Sequence, residues 1–318
     1  MTQPSPPPAQ GVRVPYDELP GRVRGWVKQT LGSAVVSAVT QPGGFSPGVA
    51  ARVVCADGSR AFVKAVSTDA NPHSPDMHRR EARITAALPP AAPAPRLLAS
   101  YDDEGWVALL LEDVDGRHPH LPWQQDELRR VLDTVDELFE NLTPSPLPDA
   151  PGLDASWRDE FSGWRDAAAD GVPAGLDDWC VRHLDRLAEL ESRWVEAASG
   201  ETLLHLDLRA DNMLVSADRV WLVDWPWAAR GAPVFDLAAF APSVAMQGGP
   251  DPEELLAMSS HGRAADPDVL TVLVATITGY FLTHALLPPA PGLPTVRAFQ
   301  AAQGAVALRW LQDLTHWS

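Results

Sequence analysis

The amino-acid sequence predicts an α+β protein of two lobes: a small antiparallel sheet lobe with one helix, then a large, mainly helical lobe. The first third of the chain holds short β-prone runs at 35–39, 50–55 and 61–66, separated by turns that contain Gly or Pro. After about residue 124 the apolar residues recur at helical spacing. A β-prone island at 203–223 lies between these helical patterns. This order of elements defines the predicted fold.

The N-terminal lobe is predicted to cover residues 15–112. A helical pattern from about 76 to 88 ends at two consecutive prolines, which cannot continue a helix. Further β-prone runs at 96–99 and 106–111 complete the sheet. The proline-rich residues 1–14 predict a flexible tail, and they lack the basic start and apolar run of a secretory signal.

The C-terminal lobe, residues 113–318, is predicted to be helical around its β island. Its helical patterns lie at about 124–142, 154–169, 176–198, 252–259, 266–287 and 294–314. Residues 269–287 contain no Asp, Glu, Lys or Arg and approach the length of a membrane span. Four Thr, a Gly, a Tyr and a His, with no basic flank, favour a buried helix instead. A membrane-anchored structural protein is the alternative that this segment raises.

Composition narrows the class of protein. The chain of 318 residues has 45% apolar residues and 12 Trp, enough to bury a core, which excludes a disordered protein. A net charge of −17 disfavours binding to nucleic acids and to anionic membranes. Cys55 and Cys180 are far apart and have no metal-binding spacing, so we expect reduced thiols in a cytoplasmic protein. The sequence gives no indication of the oligomeric state.

The β island carries the strongest chemical signal, the pattern H-x-D-x-x-x-x-N formed by His205, Asp207 and Asn212. A second acid, Asp224, follows twelve residues after Asn212, at the end of a β-prone run. In phosphoryl transfer an Asp accepts the proton of the attacking hydroxyl, while an Asn and another Asp hold the metal that bridges the phosphates. Oxygen ligands are those that Mg²⁺ requires. The pattern therefore predicts Asp207 as the base, Asn212 and Asp224 as magnesium ligands, and His205 as a residue that positions the loop.

The segment after Asn212 predicts an antiparallel hairpin. Residues 213–215 and 220–223 are β-prone, and 216–219 form the turn between them. A hairpin centred on Asp218 pairs position 212 with position 224, so we expect the Asn212 and Asp224 side chains at the same open end.

Lys64 and Glu81 are charged residues in apolar surroundings, and we expect them to pair. The strand RAFVKAV is apolar on both faces around Lys64. Glu81 belongs to a helical stripe with Met77, Ile84 and Leu88 that should face inward. Burying either charge alone is costly, whereas pairing them compensates both. The ammonium would then face the α- and β-phosphates of a nucleotide. A structural ion pair without a ligand is the alternative.

Two further segments are candidates for nucleotide contacts. Gly43, Gly44, Phe45 and Ser46 lie in the run GGFSPG between two predicted strands, where free backbone amides can approach phosphates. An ordinary Gly/Pro hairpin is the alternative. Residues 109–114 occupy the place of an adenine-binding hinge, with Glu112 and Val114 as the predicted contacts. Their alternative is the end of a buried strand.

These residues together resemble the aminoglycoside phosphotransferase family, which includes choline-kinase-like and other small-molecule kinases. The matching stretches, over roughly 40–240, are QPGGFSPG, AFVKAV, HRREARITAAL, LLHLDLRADNMLV and LVDWPWAARGAPVFDLAAF. The resemblance implies a protein-kinase-like fold, ATP with Mg²⁺ as the phosphate donor, and transfer to a substrate hydroxyl; it does not separate ATP from GTP. It also implies that Asp236 supports the catalytic loop. Leu206 stands where family members commonly have Gly, and Pro226 stands where an acidic residue is frequent, which puts an additional metal contact in doubt.

The acceptor is predicted to be a small molecule. Asp236 follows only twelve positions after Asp224, which leaves no room for the activation segment on which protein kinases dock substrate proteins. Residues 149–196 hold 12 acidic and 5 basic residues, which would attract an aminoglycoside or another amine. A solvated helical face explains that charge equally well, and a sugar or another hydroxyl metabolite remains an alternative acceptor. A second hypothesis is a catalytically inactive pseudokinase on the same fold that binds a nucleotide or metabolite.

Overall fold

A five-stranded antiparallel sheet forms the N-terminal part of this protein, of which the computed structural model describes residues 6–69 and 71–318. Its strands lie in the order β1-β2-β3-β5-β4. Their bounds are β1 Val35–Thr40, β2 Val49–Cys55, β3 Arg60–Ser67, β4 Leu97–Asp103 and β5 Trp106–Leu111. Strand β3 is central because it pairs with both β2 and β5, so Lys64 is held between Ala50 and Leu109. The predicted β-prone runs correspond to these strands.

One helix packs on each face of the sheet. Helix α1 (Gly21–Leu31) places Val23 and Val27, which are fully buried, in the apolar cluster on one face. Helix α2 (Ser74–Ala87) packs Ala82 against the opposite face. The sequence predicted only α2, so the expectation of a single helix in this lobe is corrected. The central Gly25 weakens the helical signal of α1, and burial of its two valines against the sheet outweighs that cost.

The segment at residues 9–14 is attached to the sheet lobe. Its backbone forms β-bridges with residues 43–48, which we call the glycine-rich loop, from Gln10 to Gly43 and from Arg13 to Gly48. The expectation of a flexible tail up to residue 14 is therefore corrected for 9–14, because these backbone groups find partners that are distant in sequence. Residues 1–5 of that predicted tail lie outside the described residues.

The C-terminal lobe is built from helices and two short ladders. The helices are α3 Gln125–Asn141, α4 Leu153–Trp157, α5 Gly163–Asp170, α6 Asp178–Arg182, α7 Leu184–Ser192, α8 Trp194–Ala197, α9 Pro233–Met246, α10 Pro252–Met258, α11 Ser260–Arg263, α12 Pro267–Ala285 and α13 Val296–Thr315. The strands are β6 Thr202–Leu204, paired with β9 Ala229–Gly231, and β7 Met213–Val215, paired with β8 Val220–Leu222.

The helical patterns predicted at 154–169 and 176–198 are split into shorter helices. Helix α5 begins at Gly163, where a Cβ atom would lie 2.7 Å from Thr283 Oγ1 of α12. The buried carboxylate of Glu191 accepts hydrogen bonds from the Trp164 and Arg165 amides at 3.1 and 3.0 Å. These long-range contacts fix the start of α5, and periodicity alone could not reveal them.

Helix α12 has the length and hydropathy of a membrane span, the only such helix within residues 6–69 and 71–318. Half of its apolar window is buried inside the protein, where it packs chiefly against α13. Its polar Thr276 and Thr278 hydroxyls donate to carbonyls one turn earlier, at 2.8 and 2.7 Å. The helix therefore contributes to the core of this lobe.

Candidate active site

The β7–β8 hairpin carries the two predicted metal ligands at its open end. Met213 pairs with Leu222 across the ladder, and the Val223 amide donates to the Asn212 carbonyl at 2.9 Å. The strand partner of Asn212 is therefore Val223, so the predicted pairing of 212 with 224 is wrong by one residue.

The turn of this hairpin explains the shift of register. The Ser216 amide donates to the Arg219 carbonyl at 2.9 Å, so the loop has two central residues instead of a single central Asp218. Beyond the ladder, Asp224 has a left-handed backbone conformation with a φ of 68°. Strain of this kind is typical of residues whose orientation serves a site.

Asp236 holds the start of the loop at residues 205–212, which contains the predicted base and which we call the catalytic loop. Its two carboxylate oxygens accept hydrogen bonds from the backbone amides of His205 and Leu206, each at 2.8 Å. Leu206 has a φ of 63°, a conformation that glycine adopts freely and leucine only at a cost of about 1–2 kcal/mol. Burial raises the pKa of Asp236 to about 7, while the two amide hydrogen bonds favour its ionised form.

His205 is buried inside this loop. Its Nε2 lies 3.0 Å from the Val223 carbonyl, and its Nδ1 accepts a hydrogen bond from the Asp207 amide at 3.2 Å. A neutral ring that donates through Nε2 satisfies both contacts. Burial lowers the pKa of His205 to about 4, which agrees with a neutral ring. His205 thus joins the loop to the hairpin.

Asp207 presents its carboxylate next to Asn212. The Asn212 Nδ2 donates to Asp207 Oδ2 at 2.8 Å and to the Asp207 carbonyl at 2.9 Å. Because both donor contacts use the amide nitrogen, the amide oxygen of Asn212 is the atom that could meet a cation. Burial raises the pKa of Asp207 to about 6.

Lys64 bridges two carboxylates across the interface of the two lobes. Its ammonium lies 2.7 Å from Glu81 Oε1 and 2.8 Å from Asp224 Oδ1. Burial alone would lower the pKa of Lys64, but the attraction of Asp224 and Glu81 outweighs it and raises that pKa. Burial would likewise raise the pKa of Asp224, yet Lys64 lowers it to about 2. The expected Lys64–Glu81 contact is present, and Asp224 joins it.

A cavity of about 390 Å³ lies between the lobes and collects most of the predicted residues. The predicted residues that line it are Gly43, Gly44, Ser46, Lys64, Glu81, Glu112, Val114, Asn212 and Asp224. Phe45 packs instead edge-on against Phe299 of α13, with ring centroids 5.1 Å apart. A cavity of this volume accommodates a nucleotide-sized ligand.

The predicted hinge is fixed by arginines on both sides. The Glu112 amide donates to the Arg96 carbonyl at 2.9 Å, and its carboxylate pairs with the Arg96 side chain at 3.1 Å. Next to it, Asp113 pairs with Arg52 and Arg60, each at 2.7 Å. The Val114 carbonyl also accepts a hydrogen bond from Arg52. These contacts hold the hinge at the edge of the cavity.

A sequence model of the phosphotransferase enzyme family matches residues 42–272, which is most of the chain. The chain belongs to this phosphotransferase family. The match spans the glycine-rich loop, Lys64 and the catalytic loop, and it confirms the resemblance drawn from the motifs. No curated protein sequence matches the chain significantly.

Solved structures of similar fold include several phosphotransferases. One is a thermostable mutant of aminoglycoside phosphotransferase APH(4)-Ia with ADP and hygromycin B, at 16% identity and a TM-score of 0.61, covering 92% of this chain and 98% of that one. A putative fructosamine-3-kinase from Haemophilus somnus 129PT matches at 15% identity and 0.58, covering 89% and 96%. A choline/ethanolamine kinase family protein from Mesorhizobium loti matches at 14% identity and 0.60, covering 92% and 94%. These likenesses confirm the predicted two-lobed, kinase-like fold.

Arg209 is a residue of the candidate site that the sequence analysis did not identify. Its guanidinium contacts the Asp207 carboxylate and pairs with Asp211 at 2.9 Å. The rings of Phe45 and Phe299 lie 5.2 and 5.8 Å from it, so it joins the glycine-rich loop, the catalytic loop and α13. Its position two residues after the predicted base Asp207, inside the motif, is the signal that could have identified it.

Proposed function

We propose that this protein transfers the terminal phosphate of a nucleoside triphosphate to a hydroxyl of a small molecule. The observation that carries the proposal is the placement of Lys64 against Asp224, in the same cavity as Asn212. An ammonium, a carboxylate and an amide oxygen around one cavity are the groups that phosphoryl transfer uses for positioning and charge stabilisation.

Asp207 is the proposed base. Its carboxylate is oriented by Asn212 and Arg209, and its loop is held by Asp236 and His205. The acceptor hydroxyl would donate its proton to Asp207 as its oxygen attacks the terminal phosphorus. The bond from that phosphorus to the bridging oxygen breaks, and the nucleoside diphosphate leaves.

Asn212 and Asp224 fit a magnesium ion that is shared with the nucleotide. Among the described residues no group of three or more His, Cys, Asp or Glu is placed to hold a metal by itself. Mg²⁺ typically takes one or two protein oxygens and completes its shell with phosphates and water. The Asn212 amide oxygen and the second Asp224 oxygen supply that number. The ion would neutralise the charge that develops between the β- and γ-phosphates.

Lys64, oriented by Glu81, is the proposed ligand of the α- and β-phosphates, with ATP as the proposed donor. Similar folds have been solved with ADP and with AMP-PNP, which supports an adenine nucleotide. The glycine-rich loop would cover the phosphates through its backbone amides, and Glu112 and Val114 would contact the adenine ring of the nucleotide.

The proposed acceptor is a small hydroxyl compound, and the charge of the helical lobe favours one that carries an amine. A second cavity of about 330 Å³ lies between α5 and α12. Carboxylates line it, from Asp159, Glu160, Asp166 and Asp170. A cation would gain from these carboxylates.

We also propose that the protein acts in the cytoplasm. Both cysteines are free and buried, as expected of a protein in a reducing compartment. The packing of α12 in the core of the helical lobe supports a role without a membrane.

An acceptor screen tests the proposed function. Release of ADP from Mg·ATP is measured with aminoglycosides, amino alcohols and neutral sugars, each against a reaction without acceptor. We expect acceptor-dependent ADP release, strongest for amines and weaker at high salt because ion pairing is screened. A protein that binds ATP but releases no ADP with any acceptor would instead be the inactive nucleotide-binding protein.

The pH dependence of turnover follows from Asp207. Burial raises its pKa to about 6, and only the ionised carboxylate can accept a proton. We expect kcat/KM for the acceptor to be constant above pH 7 and to decrease below pH 6. The decrease should approach a factor of ten for each pH unit. Initial rates at saturating Mg·ATP, on a protein shown to stay folded by circular dichroism, measure this. A decrease of kcat/KM centred near pH 4 would contradict the raised pKa of Asp207.

A further inference from the structure

Residues 9–14 form a strap between the two lobes at the mouth of the nucleotide cavity. The Gly48 amide donates to the Val12 carbonyl at 3.0 Å, and the Val12 amide donates to the Gly292 carbonyl at 2.9 Å. At Gly11 a Cβ atom would lie 2.5 Å from the Ser46 carbonyl oxygen, so the strap touches the glycine-rich loop directly. The strap therefore contacts the loop on one side and the chain before α13 on the other.

Arg13 is the residue of the strap that reaches the cavity. Its Nε donates to the Gln41 carbonyl at 3.1 Å, and its two terminal nitrogens donate to the carbonyls of Gly43 and Ser46. A guanidinium has five N–H donors, and these contacts use three of them. The side chain also lines the cavity that Lys64 lines. Two donors therefore remain for a ligand beneath the glycine-rich loop.

The charge of Arg13 is unusual among the cations of this cavity. The other Arg and Lys side chains that line it are paired with carboxylates: Arg52 with Asp113, Lys64 with Glu81 and Asp224, and Arg117 with Glu127. Within residues 6–69 and 71–318, no carboxylate lies within ion-pair distance of Arg13, and Asp224 attracts it only at longer range. Leaving a half-buried cation without a counter-ion costs free energy. In a chain of net charge −17, that arrangement suits an anionic ligand.

We infer that Arg13 binds the phosphates of the nucleotide, so that the N-terminal strap supplies a second cation to the phosphate site beside Lys64. This inference rests on the proposed function, which places a nucleotide in the cavity. The planar fork of a guanidinium matches the oxygens of a phosphate and can hold two of them at once. The three carbonyls that fix Arg13 orient the fork before the ligand arrives, which reduces the entropy lost on binding.

Nucleotide binding by an Arg13→Met variant tests the inference. Dissociation constants are measured by calorimetry for ATP and ADP with magnesium, and by NMR titration for adenosine. We expect the affinity for ATP and ADP to fall about 10- to 100-fold, the usual effect of removing a charged hydrogen-bond donor. The affinity for adenosine, which has no phosphate, is expected to stay within about twofold.

Arg24→Met is the matched control. Arg24 lies in the same lobe, and its Nε also donates to a backbone carbonyl, that of Leu19 at 3.1 Å, but it does not line the cavity. This control is expected to bind all three ligands as the wild-type protein does. Arg13→Lys keeps the charge without the fork and is expected to lose about 3- to 10-fold in ATP affinity. It also serves if the methionine variant does not fold.

The outcomes distinguish a failure of the Arg13 inference from a failure of the proposed function on which it rests. Unchanged ATP affinity in the Arg13 variants would overturn the inference and leave the proposed function standing. An equal fall for ATP and adenosine would also overturn it, because Arg13 would then only support the glycine-rich loop. A wild-type protein that binds no ATP would overturn the proposed function itself.

Discussion

An Asp207→Asn variant is expected to lose phosphoryl transfer by a factor of about 10²–10⁴, the range that a general base contributes. The amide has the shape of the carboxylate but cannot accept the proton of the acceptor hydroxyl. Nucleotide binding should persist, since Lys64 and Asp224 are unchanged. Steady-state ADP release with the best acceptor measures the first effect, and a thermal shift with Mg·ATP measures the second.

Asp211→Asn is the control for this variant. Asp207 and Asp211 both pair with Arg209, so each substitution removes one carboxylate from the same guanidinium. Only Asp207 lies against the Asn212 amide group. We expect Asp211→Asn to lose much less activity than Asp207→Asn. Equal losses would show that Arg209 needs its counter-ions and that no proton passes through Asp207, whereas full activity of Asp207→Asn would place the base elsewhere.

The proximity of several candidate residues could be predicted because the sequence signals for them are local. Asp207 and Asn212 lie in one short loop, and the hairpin that follows brings Asp224 near them whichever of the two registers it adopts. Lys64 and Glu81 are separated by 17 positions, yet each interrupts an apolar pattern of its own element. A charge that breaks such a pattern must find a partner, and sequence reasoning can use that requirement.

Other parts of the site depend on contacts that no local pattern encodes. Arg13 reaches carbonyls 28 to 33 residues away, and its segment reads as a proline-rich tail. Arg209 lies within the motif, but the Phe299 ring near it belongs to α13, at the far end of the chain. The predicted register of the β7–β8 hairpin was wrong for a different reason. A shift of one residue depends on whether the turn has one or two central residues, and 216–219 is compatible with both.

Leu206 shows how a departure from a family pattern can be accommodated. The left-handed backbone there is the reason that glycine suits the position, and leucine accepts it at a cost of about 1–2 kcal/mol. Asp236 offsets that cost by accepting the amides of both His205 and Leu206. The loop geometry is therefore set by the buried carboxylate rather than by the flexibility of residue 206.

A Lys64→Met variant is expected to lose both turnover and stability. Turnover should fall by at least about 10²-fold, because the phosphates lose the cation that positions them. The free energy of unfolding should fall by about 3–5 kcal/mol, the usual cost of leaving a buried charge without its partner. Glu81 and Asp224 are the groups left unpaired, and Glu81 is almost fully buried. Urea unfolding and ADP release measure the two effects.

The double variant Lys64→Met with Glu81→Gln separates a phosphate ligand from a structural ion pair. Removing the Glu81 charge is expected to recover much of the lost stability, because only the more accessible Asp224 remains unpaired. In the single variant the cost should also shrink at low pH. Burial already raises the pKa of Glu81, and without Lys64 the carboxyl would be protonated in the folded protein as the pH falls. Turnover should not recover in the double variant, because a methionine offers the phosphates no charge. If turnover returned together with stability, Lys64 would serve only to compensate its neighbouring carboxylates, and the phosphates would be bound by other residues.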